Sequence, residues 1–331
     1  NNIIDIKGDM LGVDVGTSTE TITLTDNAAG GTVKLAGDVG TEYKSVTLTA
    51  GDLIEIGGTI VTVNTANNNV DINGPVTLTA NTDIDTSLND GTIDFSSTID
   101  GDYTLQLDSG SGVIGVNGII GGTTAVKTID INHTDGAGVI TLVGIGNTTG
   151  SGTKGNVGTV DIGNAATTSI TLGKASTNTL FFTDGATEYT TTGTNPTIDL
   201  IGTSVTMKSD DDKLTFTGGK IDLDNGANLT IDNGSGEIVL TAIRGDSNET
   251  VSITTTGVLG AQAIGNADEI ATVGLSGGTV KLAGDITTDA GGNVTLTGPV
   301  QLNENITIDT SSASSGSSGT VEFTSTVDSE N

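Results

Sequence analysis

Gly74-Pro75-Val76-Thr77-Leu78 leads to Thr92-Ile93-Asp94-Phe95, and this passage from a proline to a phenylalanine occurs twice more. Asn195-Pro196-Thr197-Ile198-Asp199-Leu200 leads to Lys213-Leu214-Thr215-Phe216. Gly298-Pro299-Val300-Gln301-Leu302 leads to Thr320-Val321-Glu322-Phe323. These are the three prolines of the chain. Inside each passage Val, Ile and Leu alternate with Thr, Asp and Glu. A period of two puts the aliphatic set on one face of a strand and the polar set on the other.

The same pattern runs outward in both directions. Val33-Lys34-Leu35, Val46-Thr47-Leu48, Ile54-Glu55-Ile56, Val70-Asp71-Ile72, Ile140-Thr141-Leu142, Val160-Asp161-Ile162 and Val294-Thr295-Leu296 are further examples. Asn-Gly, Asp-Gly, Gly-Gly and Ser-Gly separate them, residues that tolerate positive φ in turns. No stretch carries the i, i+3, i+4, i+7 spacing of an amphipathic helix. The spacing predicts an all-β chain of about 30 short strands, one every 8 to 12 residues.

The prolines measure the repeat. Pro75, Pro196 and Pro299 divide the chain into three imperfect units of about 110 residues each. A second copy joined to Asn331 would bring its own Pro75 at a similar interval, so the period closes on the chain. A landmark precedes each proline: Gly31-Thr32-Val33-Lys34-Leu35, Gly158-Thr159-Val160-Asp161-Ile162 and Gly278-Thr279-Val280-Lys281-Leu282. Gly30–Asp38 and Gly277–Asp285 are identical in sequence. The stretch from landmark to proline shortens from Gly31–Pro75 through Gly158–Pro196 to Gly278–Pro299. The first exceeds the third by roughly 23 residues, about one coil of a β-solenoid. That fold gains and loses whole coils because each touches only its neighbours. A sandwich has a fixed sheet order and cannot absorb such a change. The expected fold is a right-handed parallel β-helix, one continuous β-solenoid over residues 1–331 with landmarks at Pro75, Pro196 and Pro299. The alternative is a row of tandem immunoglobulin-like β-sandwiches. Proline donates no ladder hydrogen bond and fits a corner or a first strand position. Phe95, Phe216 and Phe323 are expected to pack inside, at the same corner of each unit.

Composition bounds the partners. Forty-one acidic and 11 basic residues give a net charge of -30. Phosphate binding needs Lys/Arg clusters, so nucleic acid is excluded as a partner. No apolar run is long enough for membrane insertion. There are no cysteines and hence no disulfides. The sequence starts at Asn1 without Met, which reads as a processed product or an excised fragment.

Gly74-Pro75-Val76-Thr77-Leu78, Gly91-Thr92-Ile93-Asp94-Phe95, Thr98-Ile99-Asp100-Gly101 and Gly121-Gly122-Thr123-Thr124 give the chain a resemblance to the giant bacterial β-strand-repeat surface proteins. These are akin to filamentous-haemagglutinin-like adhesins and autotransporter passengers. The resemblance covers essentially the whole chain. It implies an extracellular, cell-surface β-solenoid that projects, adheres or builds matrix, with the cell surface or a polysaccharide as partner. It implies no catalytic residues.

Candidate sites are few, and no catalytic or cofactor-binding residue is assigned. Asp210-Asp211-Asp212, with turns at Asp108, Asp224, Asp232 and Asp289, is the candidate Ca²⁺ site, since hard cations take converging oxygens. It lacks both the EF-hand loop and the glycine-rich nonapeptide signature, and Asx-turn chemistry accounts for the same residues. Arg244-Gly245-Asp246 holds the chain's one arginine. It reads either as an adhesion loop or as a repeat turn, because Gly245 aligns with Gly16 and Gly122. His133 is the one histidine. Asn132, Asn147, Asn228, Asn233, Asn248, Asn293 and Asn305 open N-x-Ser/Thr sequons. A glycoside-acting enzyme would need paired carboxylates, which are plentiful. It would also need basic and aromatic groups, which are scarce. The sequence is therefore read as a structural protein and not an enzyme. An exposed solenoid end presents unpaired backbone groups to another chain. The expected role is a subunit that self-associates head to tail into an extracellular filament or matrix. A stalk segment of a giant adhesin is the alternative, and a polysaccharide-acting β-helix enzyme the third.

Overall fold

A computed structural model describes residues 2–11, 20–40, 43–61, 69–132, 136, 138–147, 156–193, 195–246, 248–265, 269–289, 291–311 and 318–329. The chain is all-β, and its parallel stacked sheets form a β-solenoid. It divides into two compact units, one of residues 1–170 and 191–194, the other of residues 171–190 and 195–331.

In the first unit each coil contributes to three stacks of parallel strands. The first stack holds Thr21–Asp26, Ser45–Ala50, Asn69–Asn73, Thr92–Phe95 and the leading parts of Val113–Ile120 and Val139–Ile145. Its register aligns Leu24, Leu48, Ile72, Phe95, Val116 and Leu142. The second stack aligns Ile4, Val33, Ile54, Val76, Ile99, Ile120 and Ile145. The third aligns Met10, Val39, Ile60, Ile84, Leu107, Ile131 and Ile162. From Val33 to Ile145 the second-stack side chains are at most 2% exposed. Burying each is worth roughly 1.5–3 kcal/mol. The alternation in the sequence thus becomes an inward column of aliphatic side chains with Thr, Asp and Lys outside.

The second unit repeats the plan, with its own three stacks taken in chain order. Its first stack is a column of isoleucines, Ile198, Ile221, Ile243, Ile264, Ile286 and Ile308. Its second aligns Phe181, Met207, Ile231, Ile253, Leu275, Leu296 and Phe323. Its third aligns Leu214, Ile238, Leu259, Val280, Val300 and Val327. All the strand ladders quoted are parallel, which excludes the immunoglobulin-like sandwich, an antiparallel fold. Coil length is not constant. Val280 meets Val300 in a short coil, and Ile131 meets Ile162 in a long one.

The proline passage is one turn of the solenoid. After Pro75 come Val76–Leu78, Thr82–Asp85 and Thr92–Phe95, one strand from each stack. Pro196 and Pro299 likewise stand immediately before Thr197–Ile201 and Val300–Leu302. The residue ahead of each proline has positive φ: 150° at Gly74, 52° at Asn195 and 99° at Gly298. Each is a corner, as the missing donor requires.

The expectation for the three phenylalanines needs correction. Phe95 and Phe216 are buried, but Phe323 is 38% exposed. Within the second unit Phe216 belongs to the third stack and Phe323 to the second. Pro196 opens a first-stack strand and Pro299 a third-stack strand, so the interval between them is not a whole number of coils. The motif therefore returns on a different face. It works there because all three stacks offer the same aliphatic column. Phe216 meets Tyr189 in a stacked pair with ring centroids 5.2 Å apart, and burial pushes the Tyr189 hydroxyl pKa up.

Candidate functional site

Carboxylates and carboxamides at the corners join one coil to the next. Asp38 Oδ1 accepts from the Thr59 N–H at 2.7 Å, Asp90 from Ser111 at 2.7 Å and Asp285 from Thr307 at 2.7 Å. Asp100 takes both Thr123 and Thr124 N–H groups. Asn228 and Asn293 Oδ1 do the same for Thr250 and Thr320. In each pair the partner sits one coil further along the chain.

Asp210-Asp211-Asp212 belongs to this set. Asp211 has φ 74°, and its Oδ1 accepts from the Ser235 N–H one coil on, at 2.6 Å. The Asp212 N–H donates to Ser209 Oγ at 3.1 Å, and its carbonyl accepts from Asn233 Nδ2 at 2.7 Å. Asp210 is exposed. Asp108 Oδ1 accepts from the Gly110 N–H in an Asx turn, Asp224 opens a short 3-10 turn, and Asp232 faces Lys208 at 3.9 Å. Among the described residues, no group of three or more His, Cys, Asp or Glu side chains converges to hold a metal ion.

Stacking does bring like charges together. Asp71 and Asp94 are register partners on the outer face of the first unit's first stack. Burial, and then the Asp94 charge, raise the Asp71 pKa. Asp83 is raised by burial and by Asp85, Asp108 and Asp130. Glu269 is raised by burial and by its hydrogen bond and charge contact with Asp289.

Arg-Gly-Asp is not presented as a projecting loop. Arg244 ends the strand Ile243–Arg244 and pairs with Asp222, its register partner. Gly245 is buried, and a Cβ there would come within 2.6 Å of Glu249 Oε2. Glu249 is itself fully buried. Its carboxylate accepts from the Gly226, Asp246 and Asn248 N–H groups at 2.9, 2.6 and 3.1 Å. The turn is built around a glutamate that the sequence did not single out, since no periodicity distinguishes it from the other acids. Arg244 and Lys220 also line a cavity of about 430 Å³ with Asn195, Pro196, Thr197 and two glycines.

Of the sequons, Asn132 and Asn233 are completely buried, so their amides are closed to a glycan in the folded chain. Asn147 Nδ2 donates to the Gly122 carbonyl at 2.6 Å. Asn248 and Asn305 are exposed. His133 lies outside the described residues.

The remaining surface of note is the open rung of the second unit. Val321, Phe323 and Val327 are 38–43% exposed, while their register partners Val294, Leu296 and Val300 are at most 1% exposed. In the first unit, Ile3 is 56% exposed within the strand Ile3–Ile6, and Leu11 is 69% exposed just beyond it. No helix among the described residues is long and apolar enough to cross a membrane. No protein-family model, curated protein or solved structure matches the chain.

Proposed function

We propose that the chain is a structural protein that works by coil addition, stacking head to tail with further copies into an extracellular filament or matrix. The observation that supports this is the rung at Val321, Phe323 and Val327, which continues the inward columns in register and offers a further coil the same aliphatic face. A further coil bearing Ile4, Ile6 and Met10, the column residues at the first unit's leading strands, has matching aliphatic chemistry. The contact is tolerant of sequence. The segment Gly30–Asp38 packs against Ile3–Ile6, and its identical twin Gly277–Asp285 packs against Val258–Ala261. A head-to-tail contact is heterologous and does not close, so it yields fibres. The likeness to bacterial β-strand-repeat surface proteins agrees with an extracellular setting.

The test is Phe323→Glu. Phe323 lies on the last rung among the described residues, so the substitution leaves the columns beneath it intact. It would place a carboxylate in the junction, where an unpaired buried charge costs several kcal/mol. Wild-type chain that elongates with concentration while the variant stays short supports the reading. Equal elongation of both, or none in either, refutes it.

A further inference from the structure

The structure sorts the N-x-Ser/Thr sequons by what their side chains already do. Asn132 and Asn233 are completely buried. Asn147, Asn228 and Asn293 tie neighbouring coils together. Asn147 Nδ2 donates to the Gly122 carbonyl, and the Oδ1 atoms of Asn228 and Asn293 accept from the Thr250 and Thr320 N–H groups. Asn248 is exposed, but Thr250, two residues on, is committed to the stack. Its N–H and its hydroxyl both donate to Asn228 Oδ1, each at 2.8 Å. Asn305-Ile306-Thr307 is left.

This tripeptide lies in the connection from Val300–Leu302 to Ile308–Asp309. The connection is held at both ends. The Asn303 N–H donates to the Leu282 carbonyl at 2.9 Å. The Thr307 N–H donates to Asp285 Oδ1 at 2.7 Å, and the Thr307 carbonyl accepts from the Ile286 N–H at 3.0 Å. One coil earlier, Ala283-Gly284-Asp285 makes the same connection, between Leu282 and Ile286, the register partners of Leu302 and Ile308. Asn303-Glu304-Asn305-Ile306-Thr307 spans the same gap with more chain, so its middle bows out from the stack. Asn305 and Thr307 are both exposed. Among the described residues, neither the Asn305 carboxamide nor the Thr307 hydroxyl has a hydrogen-bond partner.

We propose that Asn305 is an N-glycan acceptor of the folded chain. An acceptor needs an open carboxamide and a hydroxyl two residues on, in a surface segment that a transferase can engage. Among the described residues, this sequon alone offers both groups. The donor is an oligosaccharide carried on a lipid pyrophosphate. Asn305 Nδ2 bonds to its anomeric carbon, the anomeric C–O bond breaks, and the amide proton leaves with the pyrophosphate. A separate transferase catalyses the step. A bow of chain outside the columns carries a bulky, solvated group without disturbing them. The proposal rests on the extracellular setting proposed above, since N-glycans mark secreted chains. Its test needs neither export nor stacking, so its failure would leave the assembly reading standing.

The experiment incubates the purified, folded full chain with a single-subunit oligosaccharyltransferase that acts on N-x-Ser/Thr and with a dolichyl-pyrophosphate oligosaccharide. Mass spectrometry of the digested product then maps the glycans. One glycan per chain is expected, at Asn305. Asn305→Gln and Thr307→Val should each lose it. Both variants should keep the wild-type thermal midpoint, because neither side chain is bonded to the stack. Synthetic peptides spanning Asn132, Asn233 and Asn305 serve as unfolded comparators. All three should accept the glycan, which would show that the fold and not the local sequence makes the selection. An Asn305 left unmodified in the folded chain overturns the proposal, as does equal modification of any other sequon there.

Discussion

Replacing Asn132 by alanine tests whether the corner side chains hold the coils together. Asn132 is fully buried, with φ 51°. Its Oδ1 accepts from the Ser109 N–H at 2.8 Å, and its Nδ2 donates to Ser109 Oγ and the Gly110 carbonyl, both at 3.3 Å. Ser109 is also fully buried, so alanine strands its N–H, at a cost of about 1–3 kcal/mol. The two longer bonds add about 1 kcal/mol together. Alanine in the left-handed region adds about 1 kcal/mol more. The expected loss is about 3–5 kcal/mol. Asn132→Gly relieves the backbone strain and should be about 1 kcal/mol milder. Urea unfolding gives the size of the effect. Amide exchange at Ser109 gives its location, which matters because long repeat arrays need not unfold in one step. A loss below about 1 kcal/mol, or equal losses for alanine and glycine, would show that this corner does not bind its coils in the way described.

Asp71→Asn should stabilise the chain at neutral pH. Burial and Asp94 hold the Asp71 pKa above its ordinary value. The stability tied to its protonated form is full below the unfolded value of about 3.9 and lost as pH rises through the raised one. The variant's advantage in thermal midpoint should therefore vanish below about pH 4, and an advantage that persists there would contradict the cause assigned. Glu249→Ala removes the acceptor of three backbone N–H groups. It should cost about 2–3 kcal/mol, since Asp246 and Asn248 are exposed and their N–H groups turn to water. Glu249→Gln should recover part of that, as read in urea midpoints, and a neutral alanine variant would show that the turn does not depend on Glu249.

Much of the fold was legible because a solenoid writes itself into local pattern. The alternation through Val76-Thr77-Leu78 marked the strand, and the longer stretch from Gly31 to Pro75 marked the added coil. The missing N–H of proline marked the corner. Which face each motif occupies was not legible. Face is set by the summed lengths of every intervening corner, so Phe216 and Phe323 share a motif and not an environment. The corner chemistry was half visible. Asp and Asn beside glycine announced turns, but their partners lie a coil away, and only the register connects Asp211 to Ser235 or Asn132 to Ser109. Glu249 left no local signal, because its role arises from what successive coils place side by side, as with the Gly226 N–H one coil back.

Extension of this solenoid by adding coils to its open rung is tested most directly by electron cryomicroscopy of the purified full chain across a concentration series. Coil addition predicts unbranched filaments whose strands cross the axis at a spacing of about 4.8 Å, with continuous columns through each junction at Phe323. Separate particles of one chain each, at every concentration, would contradict it.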